Sequence, residues 1–210
     1  MTSFVLSSKG ADCRDVTFHA VLTAPMPDEA EGYYGGVEVR LYAPGKTGAN
    51  SYEGVGLAQT AGGSATYVGS LHVCGSYTAP GAGRAEFSGS AIPVAGGTTL
   101  RTNVVNVVMS VKRPSTVAFN ASPEPVKKGK KITAAGTLKT DGGALAHASV
   151  KIYFRKSGTT TYARKATLKT NSKGVFRTTF TAGRSGTWKV VYAGSSTRQA
   201  VSRADAVKVK

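Results

Sequence analysis

The stretch "SVKIYFRKSGTTTYARKATLKTNSKGVFRTTF" (149–180) decides the fold. Val150, Ile152 and Phe154 alternate with Lys151, Tyr153 and Arg155, a period of two that turns one face to a core and the other to water. "KSGTT" and "NSKG" interrupt the pattern with turn chemistry. Ala166 with Leu168, and then Phe176 with Phe180, resume it. Strands this short and this close together, with no 3.6-residue period between them, predict antiparallel sheet with one buried face.

The same pattern extends to both sides. "STVAFNA", "KITAAGTLK", "TWKVVYAG" and "ADAVKVK" read as strands, with Ile132, Ala134 and Leu138, and then Trp188, Val190 and Tyr192, turned inward. Phe119, Leu138, Phe154, Phe176, Phe180 and Trp188 are the expected core. Seven short strands joined by turn-rich connectors predict an immunoglobulin-like β-sandwich over 114–210. In residues 1–113 the strand candidates are "DVTFHAVLT", "GVEVRLYA", "ATYVGSLHVCG", "GRAEFSGSAI" and "RTNVVNVVMSVK". The first would bury Val16, Phe18, Ala20 and Leu22. The second would bury Val37, Val39 and Leu41 and expose Glu38, Arg40 and Tyr42. "APGKTGANSYEG" and "TAGGS" read as connectors, and "VKRPS" (111–115) as a short linker stiffened by Pro114. The expected architecture is all-β, two antiparallel β-sandwich domains in tandem.

Charge divides the chain at the same place. The net charge is +16. Basic and acidic residues balance through Arg113, whereas beyond it only Glu124, Asp141 and Asp205 oppose the lysines and arginines. Such asymmetry predicts two units with different surfaces. No apolar run is long enough to span a membrane. The N-terminal "MTSFVLSSKGADCRD" lacks the pattern of a signal peptide, which leaves a cytosolic chain or one whose export signal has been replaced. Cys13 and Cys74 suit a disulfide and an oxidising compartment, with two free buried thiols as the alternative. Two sulfur ligands without a histidine pair at ligand spacing give no expectation of a metal centre or other cofactor.

Three groups of residues resemble a known module. "FNASPEPVKKGKKITAAGTL", "VKIYFRKSGTTTYARKATLKTNSKGVF" and "GTWKVVYAG" are similar to the Ig-like sandwich of secreted actinobacterial (Streptomyces-type) proteins. The similarity covers about 115–210 and includes the Thr170–Gly174 turn and the Gly-x-Trp strand ending in Tyr-Ala-Gly. The first half is similar to β-sandwich domains only in general terms. The resemblance implies export and a non-catalytic sandwich, and it supplies no catalytic residues.

The chemical motifs are few. "RLYAPGKT" (40–47) has Arg40 where a phosphate loop needs glycine, and no helix pattern follows. His19, His72 and His147 are scattered, and no nucleophile elbow accompanies them. The acidic loop at Asp28, Glu29 and Glu31 has no established calcium-loop spacing. The expectation is a protein that is not an enzyme.

What remains is the basic surface. Lys151, Arg155, Lys165, Lys169, Arg177 and Lys189 would form one cationic band if their strands share a sheet, with Tyr153 and Tyr162 interleaved. Lys127, Lys128, Lys130 and Lys131 would add to its field from an ordered turn. Polyanions are the matching ligands, and for an exported chain these are an anionic cell-envelope polymer or surface glycan. The alternative is that the charge serves solubility. Nucleic acid is the less supported partner, because no helix for the major groove and no RNA-binding signature is present. Tyr33, Tyr34, Tyr42 and Tyr52 would give the neutral half a protein- or glycan-binding surface. A subunit of an extracellular assembly, joined through exposed strand edges, is the structural alternative.

Overall fold

The computed structural model of the chain describes residues 2–5, 7–9, 12–27, 29–42, 51–74 and 80–210. Apart from one 3₁₀ turn at Glu29–Glu31, the regular structure among them is β-strand. The chain divides into two compact units, Met1–Lys112 and Arg113–Lys210.

The first unit contains β1 (Thr2–Val5), β2 (Cys13–Val21), β3 (Tyr33–Tyr42), β4 (Ser51–Gln59), β5 (Thr66–Cys74), β6 (Gly81–Pro93), β7 (Leu100–Arg101) and β8 (Val105–Lys112). Their order is β1-β8-β6-β3-β4-β5-β2, with β7 beside β6. β4 pairs with β3 as far as Leu57 and then reaches β5 through Ala58 and Gln59. That crossing lets the β2–β5 pair pack over the rest. Phe18 meets Phe87 edge to face at 6.1 Å, and Val37, Val39, Leu41 and Leu71 close the core. Val16, Phe18, Ala20 and Leu22 all pack against this core, as their alternation predicts. Cys13 and Cys74 are directly paired across β2 and β5 and joined by a disulfide.

The second unit contains β9 (Ser115–Ser122), β10 (Lys131–Thr140), β11 (Gly143–Ala144), β12 (Ser149–Lys156), β13 (Ala163–Lys169), β14 (Val175–Thr181), β15 (Gly186–Tyr192) and β16 (Val201–Val207). One sheet has β10 between β9 and β14, with β11 against the end of β10. The other runs β13-β12-β15-β16. Ile132, Leu138, Ile152, Phe176, Trp188 and Val190 fill the space between the two sheets. Phe180 stacks on Trp188 at 4.4 Å and Phe154 tilts against it at 4.9 Å. All six residues expected in this core are part of it: Leu138, Phe176 and Trp188 are buried, and Phe119, Phe154 and Phe180 are packed against them. The Thr170–Gly174 turn acts as a fastener. The buried Thr170 hydroxyl donates to the Leu145 carbonyl at 2.6 Å and accepts from Ala148 N–H at 2.9 Å. Asn171 Oδ1 accepts the N–H groups of Lys173 and Val175 and sets the tight entry into β14.

One expectation about a connector is corrected. "SYEG", taken as loop, opens β4, because Gly54 and Gly56 hide an alternation carried by Val55 and Leu57. Of "VKRPS", read as a short linker, only Arg113 and Pro114 lie outside strands. β8 runs to Lys112 and β9 begins at Ser115, while Arg113 bridges Arg198 and the Pro114 carbonyl accepts from Asp141 N–H.

Candidate functional site

The basic surface rests on the outer face of the β13-β12-β15-β16 sheet. Along β12, Val150 and Ile152 are fully buried, so Lys151, Tyr153 and Arg155 point away from the core. Lys189 of β15 lies opposite Tyr153, since Trp188 and Val190 point inward. On the other flank a register shift between Ile152 and Tyr153 sets Arg164 of β13 opposite Tyr153. Tyr153 is thereby flanked across the sheet by Arg164 and Lys189 and along its own strand by Lys151 and Arg155. The Tyr162 ring receives the Arg155 guanidinium at 5.1 Å and the Lys189 ammonium at 5.4 Å, which holds both long side chains over one platform.

Asp205 and Glu124, two of the three acidic residues of this half, are engaged elsewhere. Asp205 lies opposite inward-facing Trp188 and accepts Ala121 N–H at 2.7 Å, and Glu124 accepts Lys208 N–H at 3.2 Å. Among the described residues none of Lys151, Arg155, Arg164 and Lys189 forms an ion pair. Among the described residues no carboxylate neutralises their charge, the condition under which a basic surface attracts polyanions.

The other predicted basic residues are distributed differently. Lys169, opposite Ser149, continues the face, and Lys165 sits in the bulge beside Arg164. Arg177 is a correction: β14 belongs to the other sheet, where Arg177 pairs with Ala135, so it is not part of the band. Arg164 is the residue the sequence reading missed. Strict alternation back from Ala166 points it inward, and only the bulge reverses it. Lys127, Lys128 and Lys130 are exposed on a turn closed by Lys130 N–H to the Lys127 carbonyl at 3.1 Å, with Gly129 at φ 84°. Val126 and Lys128 pair with the C-terminal residues Lys208 and Lys210, which makes the turn ordered and adds two lysines beside it. Lys131 opens β10 and donates to Thr181 Oγ1 at 3.2 Å.

In the first unit the predicted tyrosines separate. Tyr34 is 57% exposed, and it shares with Tyr33 a cleft of about 380 Å³ bordered by Met26, Glu29 and Gln59. The cleft floor includes Gly35, whose φ of +134° and close approach to the Ser90 carbonyl leave no space for a Cβ. Gly35 and Gly36 also border a second depression of about 430 Å³ with polar walls from Glu38, Ser88 and Arg101. Here Glu38 holds the Arg40 guanidinium above its ordinary pKa, first by a hydrogen bond and then by charge. Tyr42 is a correction. It points away from the core as expected but is only 4% exposed, because Arg84 of β6 lies 4.2 Å over its ring and Glu86 accepts its hydroxyl at 3.1 Å. Tyr52 falls in β4, and its side chain lies outside the described residues, as do Asp28 and the Gly45-Lys46-Thr47 segment. Glu29 and Glu31 are exposed in their 3₁₀ turn. His147 sits in a turn at φ 55°, His19 is exposed on β2, and His72 Nδ1 meets Asp15 Oδ1 at 2.8 Å.

Residues 110–193 match the model of a family described as YtkA-like, so the basic half is similar to that family over most of its length. No curated protein sequence matches the chain. Several solved structures are distantly similar. The D00-D0 domain of Intimin is 15% identical, with 97% of this chain and 96% of that chain covered and a TM-score of 0.36. The fibronectin(III)-like modules of Clostridium thermocellum CbhA are 14% identical, with 99% and 87% covered and a TM-score of 0.33. The amphioxus IgVJ-C2 molecule is 10% identical, with 99% of each chain covered and a TM-score of 0.36. At scores this low the β-sandwich architecture stands on the strand pairing itself. Among the described residues no helix is long and apolar enough to cross a membrane.

Proposed function

We propose that the protein is a secreted, non-enzymatic binding or adaptor protein. Its basic second unit contacts an anionic cell-envelope polymer, and its neutral first unit engages a protein or glycan partner. The observation that carries this reading is the outer face of the β13-β12-β15-β16 sheet. There Lys151, Arg155, Arg164 and Lys189 surround Tyr153 without an ion-paired carboxylate among the described residues. A flat strand surface matches an extended polymer better than a compact ligand, since cations at strand spacing can meet successive anionic groups. The Tyr33–Tyr34 cleft supports the second contact, because an exposed ring beside a glycine floor offers a stacking platform with a polar rim. Secretion accords with the Cys13–Cys74 disulfide.

The test is co-sedimentation with purified Gram-positive cell walls, intact or stripped of teichoic acid, across a salt series. Binding that falls steeply with salt and disappears on stripping supports the reading. Salt-insensitive binding refers recognition to the first unit. No binding to either wall reduces the basic face to a solubility feature.

A second reading, a structural subunit of an extracellular assembly, is favoured by one observation. Val105, Val107 and Val108 are exposed, and β1 pairs with β8 only from Met109 onward, which leaves the edge of that apolar stretch open among the described residues. A defined oligomer in light scattering that is lost in Val107→Lys would favour it.

A further inference from the structure

The disulfide belongs to a larger constellation. In β2 the inward positions are Val16 and Phe18, and in β5 they are Leu71 and Val73, so Cys13, Asp15, His72 and Cys74 share the outer face of the pair. The register makes them a two-by-two block, with Cys13 opposite Cys74 and Asp15 opposite His72. Ligand atoms of Cys13, His72 and Cys74 lie within 4.8 Å of one another. A tetrahedral zinc ion holds such atoms about 3.3–3.8 Å apart, given zinc–nitrogen and zinc–sulfur distances of about 2.0–2.3 Å. Opening the disulfide and small side-chain rotations would cover the difference. Asp15 Oδ1 lies 2.8 Å from His72 Nδ1, and the tautomer that donates Nδ1–H to this carboxylate presents Nε2 as the ligand atom, the way carboxylates orient zinc-bound histidines. His72 and Asp15 are 66% and 73% exposed, so a cation reaches them directly from solvent.

We propose that Cys13, Cys74 and His72, with Asp15 as the positioning residue, form a redox-gated Zn²⁺ site. The site is closed while the disulfide stands. A dithiol reductant supplies two electrons and two protons, the sulfur–sulfur bond breaks, and the reductant leaves as its own disulfide. Zn²⁺ then displaces the two thiol protons to solvent as two zinc–sulfur bonds form, His72 Nε2 gives the third ligand, and water takes the fourth position. The metal would replace the lost covalent tie between β2 and β5, so that the first unit stays cross-linked in either redox state. Sequence spacing conceals this set, because Asp15 and His72 stand 57 positions apart.

The test uses the full chain, oxidised or reduced anaerobically with a phosphine, titrated with Co²⁺ as the spectroscopic probe and then with Zn²⁺ as competitor. The chain has only two cysteines, so thiolate-to-cobalt charge-transfer absorption reports this pair. The expected result is one equivalent of Co²⁺ with thiolate absorption in the reduced chain, displaced by Zn²⁺, and none in the oxidised chain. His72→Ala and Asp15→Asn should each weaken binding by about tenfold or more. Absence of the absorption in the reduced chain, or unchanged affinity in His72→Ala, overturns the proposal. If reduction alone unfolds the first unit, circular dichroism decides. Recovery of β structure on adding Zn²⁺ supports the site, and a chain that stays unfolded with Zn²⁺ overturns it.

Discussion

The two units solve the same packing problem with different materials. The second builds its core from rings, with Phe154 and Phe180 against Trp188 and Phe119 stacked on Phe176 at 6.3 Å. The first uses mainly aliphatic side chains and one aromatic contact, and it adds a covalent tie and ion pairs at Arg40–Glu38 and Arg84–Glu86. Large rings bury much surface per residue and hold a sandwich without further fastening. A core of smaller residues gains proportionally more from a cross-link. The surfaces differ in the same sense. Acidic partners occupy Arg40 and Arg84 of the first unit, while Lys151, Arg155, Arg164 and Lys189 on the outer face of the second have no ion-paired carboxylate among the described residues.

Five variants test this contrast. Trp188→Ala should cost about 3–5 kcal/mol, because it empties the space between Phe154 and Phe180. Chemical denaturation should show the loss in the second unit alone. An unchanged midpoint would mean that the ring cluster is not the support described. Replacing both cysteines by serine should cost about 2–4 kcal/mol, confined to the first unit. Equal losses in both units, followed by calorimetry, would erase the distinction between covalent and packed fastening.

Smaller effects sharpen the surface comparison. Arg164→Ala should lower affinity for a polyanion by about fivefold, near 1 kcal/mol for one basic group at a charged surface. Arg177→Ala, on the opposite sheet, should lower it less. Equal effects in a salt-controlled binding assay would mean that net charge matters and the Tyr153 face does not. Tyr42→Phe should cost the first unit about 0.5–1.5 kcal/mol by removing the hydrogen bond to Glu86 while keeping the ring under Arg84. A loss of partner binding in that variant, with stability unchanged, would return Tyr42 to the binding surface.

The regular parts of the fold were legible because alternation is a local signal. Val150, Ile152 and Phe154 had to share a face whichever strands they met, and so did Val37, Val39 and Leu41. β4 was not legible, since glycines at 54 and 56 leave no side chain to mark its outer face. The candidate site was legible in charge but not in membership. Lys151, Arg155 and Lys189 follow from alternation, whereas excluding Arg177 needs the sheet order and including Arg164 needs the bulge.

The sequence by itself determined that the chain is all-β, which side chains turn inward in most strands, and that the charge is concentrated in the second half. These are properties of neighbouring residues and of composition. Only the tertiary structure decided which strands are adjacent. Adjacency sets Arg164 and Lys189 on either side of Tyr153, covers Tyr42 with Arg84, and brings His72 and Asp15 beside the Cys13–Cys74 pair. The reason is that a strand carries its own facing in its sequence, whereas its neighbours are chosen by the packing of the whole sheet.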